Sequence, residues 1–188
     1  MSKLSISKIG MIASITTGFL LAFAHMLEEA AQNDIWIIVT KNMILISHLA
    51  MVFSFVAIYE SDCSKNGWRA AGMLLATVGT ILVSAIVFVE VASVSMPEAT
   101  RVLQAVGVSW ITAAGPLLFV LGMLFVGTQL VLNGGRARGG GVLFVIGTVI
   151  FASVDFVGPA GSVAIITGSA LTGAGFILVG VNMKKALR

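Results

Sequence analysis

The sequence predicts an all-α integral membrane protein with six transmembrane helices, and three observations predict it. The first is composition: of 188 residues, 58% are hydrophobic and only 10% are charged. Mean hydropathy is +1.06. A water-soluble fold of this length still needs a polar skin, whereas hydrocarbon leaves an apolar exterior unpenalised. The second is length: the apolar runs approach or exceed the roughly 20 residues that cross about 30 Å of hydrocarbon as helix. The third is the one-sided placement of the basic residues. Strands are excluded because open edges leave backbone groups unpaired in lipid, and the runs lack the alternation of a membrane barrel.

The first span, 9–26, follows Lys3 and Lys8 and reaches Ala22-Phe23-Ala24, an imitation of a cleavable signal peptide. It is read as a retained signal-anchor helix. The second span, 35–59, is bracketed by Trp36 and Tyr59, and the third, 68–94, opens at Trp68. Such amphipathic rings prefer the headgroup layer. The fourth, 103–132, is too long for a simple crossing and contains Gly115-Pro116, where a kink or break is expected. Upstream of it, Val102, Leu103, Val106 and Trp110 recur near helical spacing, so 98–114 is expected to lie partly along the interface. The fifth and sixth spans cover 140–157 and 162–183, and the whole chain forms one transmembrane domain.

An even number of spans puts both termini on one side. That side holds Lys3, Lys8, Lys65, Arg69, Arg136, Arg138, Lys184, Lys185 and Arg188, with the acids Glu60 and Asp62. The other side holds only Lys41 and Arg101 among the basic residues, against Glu28, Glu29, Asp34, Glu90, Glu98 and Asp155. Basic residues mark the cytoplasmic face, so both termini are expected in the cytoplasm of a bacterial or archaeal plasma membrane.

Shifted by 68 residues, Gly72, Leu75, Gly79, Thr80, Phe88 and Val89 match Gly140, Leu143, Gly147, Thr148, Phe156 and Val157. The third and fifth spans run in the same direction, so this pattern predicts a parallel repeat of helical hairpins. The glycine-rich loop 133–141 fits neither dinucleotide nor P-loop spacing and reads as a short cytoplasmic turn. In the last span Gly168, Gly173, Gly175 and Gly180 allow close backbone approach, either inside the chain or as a seam with a second copy. A smooth wall for a ligand is a further use of the same stripe. The hairpin "LLFVLGMLFVGTQLVLNGGRARGGGVLFVIGTVIF" resembles the glycine-rich, arginine-turn hairpins of small bacterial multi-pass membrane proteins. That resemblance covers the last three spans at most and carries over no activity and no site residue.

Candidate chemistry concentrates in a few polar side chains. His48 lies deep in the second span, either hydrogen-bonded to a neighbouring helix or acting as an axial haem ligand with His25. His25 is near the outer boundary and His48 roughly 9–20 Å below it, which opposes bis-histidine ligation of one upright haem. A quinone near His48 is the other redox reading. The three outward-running spans end near His25, Glu90 and Asp155, and Lys41 enters the same layer from the second span. These four residues either end helices at the headgroup layer or form an outer polar pocket rimmed by Glu28 and Glu29. Such a pocket is chemically adequate for a cation, a proton, a headgroup or a divalent metal. Cys63 is the only cysteine, which excludes an intrachain disulfide. No catalytic triad spacing and no nucleic-acid module is present.

Three functional classes follow. The first is a non-catalytic binding protein or accessory subunit of a larger membrane assembly, in contact with lipid and with a partner chain or a second copy of itself. The second is a small proton- or cation-coupled transporter. The third is a redox protein with haem or quinone near His48.

Overall fold

The computed structural model describes residues 3–61, 67–133 and 135–186. Among them there are helices and turns and no strand. Asp62, Cys63 and Lys65 lie outside the described residues, as do Arg188 and the side chains of Lys3, Lys184 and Lys185.

In chain order the α-helices are α1 (Lys3–Ala30), α2 (Asp34–Ser61), α3 (Gly67–Ser95), the single turn α4 (Arg101–Gln104), α5 (Trp110–Leu132), α6 (Arg138–Ala152) and α7 (Gly161–Ala186). All but α4 belong to segments long and apolar enough to cross a membrane, which marks the chain as a multi-pass membrane protein. Their weak one-sidedness suits the setting, because a helix with lipid on one side and protein on the other is apolar all round.

Two expected spans move. The fourth begins at Trp110 rather than 103, because the chain passes through a 3-10 turn at Pro97–Thr100, then α4, then an extended Ala105. Past that point α5 runs unbroken through Pro116. The fifth stops at Ala152 instead of continuing to 157. Two 3-10 turns follow, Val154–Phe156 and Gly158–Ala160, with Gly158 at φ +53°.

The six long helices close into a ring. Each packs on its sequence neighbours, and α7 returns to pack on α1. Glycine sets the closest seams. A Cβ at Gly79 would collide with the backbone at Leu118 and Phe119, and one at Gly122 with Leu75 and Ala76, so α3 and α5 meet almost backbone to backbone. The glycines of α7 divide between two seams: Gly168 and Gly175 face α6, whereas Gly173 and Gly180 face α1. All four therefore close the ring within the chain. Close approach of this kind is a main source of helix association in lipid, where no hydrophobic force separates helix from solvent. A buried hydrogen bond from Ser14 Oγ to the Phe176 carbonyl (2.7 Å) ties the α1–α7 closure. Because Gly180 meets Met11 and Ser14 while Gly173 meets Gly18 and Ala22, α1 and α7 are antiparallel, with their chain-terminal ends at the same end of the ring.

The ring interior is divided. The middle of the ring is filled by Met51, Phe55, Met73, Ala76, Met123, Val126, Phe144 and Phe176, all buried, and at the chain-terminal end Ile58, Leu130, Arg136, Val179, Asn182 and Met183 line a cavity of about 250 Å³. Phe176 is the centre of the packed layer, with ring centroids 4.5 Å from Phe144 and 5.9 Å from Phe55. The opposite end of the ring is hollow as well.

Candidate functional site

The hollow at that opposite end is a cavity of about 260 Å³ to which all six long helices contribute. The partition holds along five of the six long helices, and on α1 Leu21 belongs to both the cavity lining and the packed layer. On α2, Ile44 and His48 line the cavity while Met51 and Phe55 belong to the packed layer. On α3 the corresponding pairs are Val83 with Val87, and Met73 with Ala76; on α5, Pro116 with Phe119, and Met123 with Val126. On α6, Phe144 fills and Thr148 lines; on α7, Ser169 and Thr172 line and Phe176 fills.

The walls are apolar, formed by Leu21, Ile44, Val83, Val87, Phe119 and Phe151 among others. Polar groups sit at two levels. Near the mouth, Lys41 Nζ lies 2.8 Å from Glu28 Oε1 and 2.9 Å from Glu90 Oε2, bridging α1 and α3 from α2. Glu28 Oε2 also lies 3.4 Å from His25 Nδ1, one turn earlier on α1. Each acid thus has a cation, which offsets the expense of placing charge beside hydrocarbon. The His25 ring leans on Phe151 at 5.6 Å between centroids.

Seven residues below Lys41 on α2, or about 10 Å at 1.5 Å per residue, His48 forms the deep polar level. It is 5% exposed. Its Nδ1 lies 2.8 Å from the Ile44 carbonyl, an acceptor only, so Nδ1 carries the hydrogen and donates it. Phe119 lies against the ring at 5.7 Å between centroids. Thr148, Ser169 and Thr172 bring three hydroxyls to the same cavity.

The structure therefore brings His25, Lys41 and Glu90 together and adds Glu28, which the sequence placed only on the rim. A signal was available: Glu28 is three residues after His25 and so shares its helix face. Asp155 is separated from this group. It is exposed in the 3-10 turn after α6 and does not line the cavity. In the 68-residue register it corresponds to Val87, which does line it; the difference is that α6 ends at Ala152, before the acid. The two histidines, expected at different depths, line one continuous cavity. Among the described residues no cluster of three or more His, Cys, Asp or Glu is arranged to hold a metal ion. No protein-family model, curated protein or solved structure matches this chain.

Proposed function

We propose that this protein is a non-catalytic binding protein of the plasma membrane that takes a small amphipathic molecule into the cavity below Lys41 in its helix ring. The observation that carries this reading is the cavity itself: one chamber, walled by all six long helices, apolar along its sides and polar at both levels. Ligand sites combine an apolar lining with a few convergent polar groups in this way.

Size limits the occupant. An apolar cavity of about 150 Å³ accepts benzene, so about 260 Å³ suits two fused rings or one substituted ring. A tetrapyrrole is several times too large, which leaves quinone-sized molecules as the redox version of the site. In the orientation given by the basic residues, both termini face the cytoplasm and the mouth of the cavity faces outward. The packed layer beneath it supports binding over permeation, because the buried rings of Phe55, Phe144 and Phe176 meet there and separate this cavity from the one at the chain-terminal end.

The test is equilibrium dialysis of naphthalene against protein in lipid nanodiscs, with empty nanodiscs of the same lipid as reference. Saturable uptake above the reference, lost in Thr148→Phe, is the expected result. Uptake equal to that of empty nanodiscs contradicts the proposal.

A further inference from the structure

The deep end of the cavity has a chemistry distinct from its mouth. His48 is held by a hydrogen bond whose direction is unambiguous, since the Ile44 carbonyl can only accept. In the neutral ring this leaves Nε2 as a bare acceptor, and among the described residues His48 makes no second hydrogen bond. His48 lines the cavity although it is almost wholly buried. Ser169 Oγ spends its proton on the Ile165 carbonyl at 2.6 Å, so toward the cavity it too offers lone pairs. Thr148 and Thr172, also buried, make no side-chain hydrogen bond among the described residues, and each hydroxyl has both a proton and lone pairs to offer. The deep level thus presents His48 Nε2 and Ser169 Oγ as acceptors that receive no hydrogen bond among the described residues, and a donor carried by a ligand satisfies them. Around it stand flat apolar surfaces: Phe119 against the imidazole, and Phe151 higher on the wall.

We infer that the cavity selects a small ring compound bearing a hydroxyl group, of the phenol or hydroquinone class, seated hydroxyl first with its O–H donated to His48 Nε2. This rests on the binding role proposed above and specifies the ligand class for that same site. The aromatic body lies along Phe119 and the aliphatic walls, where edge and offset-stacked contacts are favourable. A quinone, which offers only acceptors, can be met by Thr148 and Thr172 but not by His48, so the reduced hydroxyl form is the preferred one. The charged group at the mouth needs no counter-ion from the ligand, because Lys41 already joins Glu28 and Glu90.

Three probes of nearly equal shape separate these statements: 2-naphthol, 2-methoxynaphthalene and naphthalene, each measured as uptake above empty nanodiscs. The methyl ether is the more apolar of the two oxygen compounds, so hydrophobic transfer alone ranks it above the naphthol. The site reverses that order, with 2-naphthol bound about tenfold more tightly than its ether, the size of one satisfied buried hydrogen bond. His48→Leu abolishes the preference, so that the ether binds at least as tightly as the naphthol, the order that hydrophobic transfer alone gives. A readout without a variant uses imidazole ¹⁵N labelling: the chain has two histidines, and naphthol shifts the bare nitrogen of the buried one whereas the ether does not. If all three probes bind equally, the hydroxyl assignment is wrong and the binding role stands. A naphthol preference unchanged in His48→Leu, or an unshifted nitrogen, overturns the role of His48. If none of the three is taken up above empty nanodiscs, both readings fall.

Discussion

At the residue scale, Lys41 ties together the polar end of the cavity. It joins three helices through two acids, and the acids are not equivalent: the Glu28 side chain is 26% exposed and that of Glu90 42%. Water screens the more open pair, so the Glu28 bond carries more of the stability. Lys41→Met leaves both carboxylates without their shared cation and is expected to lower unfolding stability in detergent by roughly 1–3 kcal/mol. The loss shrinks when Glu28→Gln is already present, because the two changes remove one interaction. An unchanged melting temperature in Lys41→Met contradicts the claim that this lysine ties the mouth together. The residues of this cluster were legible singly in the sequence, as rare charges at one depth. Their partnership was not, since Glu28 looks like any acid at a helix exit until α2 and α3 are placed beside it. Asp155 shows the converse: the hydropathic run continues to Val157, yet α6 ends five residues earlier, and composition cannot mark that end.

At the scale of elements, glycine positions decide which helices touch. The six spans could be read from apolar run length because lipid permits little else. The ring order could not, although the sequence of α7 carried a usable hint. Gly168 and Gly175 are one heptad apart and serve the seam with α6; Gly173 and Gly180, also a heptad apart, serve the seam with α1. The glycines matched in the 68-residue register behave alike in one respect, since Gly72 and Gly79 face α5 while Gly140 and Gly147 face α7. Each pair thus contacts the next long helix in the chain. Substitution tests the seams directly. Gly79→Ala puts a methyl into the α5 backbone and is expected to abolish the folded, monodisperse protein. Gly139→Ala, where a methyl would meet only Leu178 Cδ1 at 3.9 Å, should keep the fold and raise stability by no more than about 1 kcal/mol, the size of an unstrained propensity change. Equal outcomes for the two would contradict the seam assignment.

For the whole molecule, the decisive property is a layer of packed methionine and phenylalanine side chains that separates the cavity below Lys41 from a second one at the chain-terminal end. No single helix reveals it, because each alternates large and small residues without stating which will face a neighbour across the ring. Once the ring closes, methionines and phenylalanines meet in one layer, while Val87, Thr148 and Thr172 leave space beside it. A pore would run through that layer, and a packed bundle would have neither cavity. The measurement that separates these is cysteine accessibility in a Cys63→Ser background, using a small membrane-impermeant thiol reagent on vesicles of known sidedness. Val87→Cys is expected to be labelled from the outer face alone, and Val126→Cys, within the packed layer, from neither. Labelling of Val126→Cys from either side, or of Val87→Cys only from the cytoplasmic side, would contradict a one-ended chamber that opens outward.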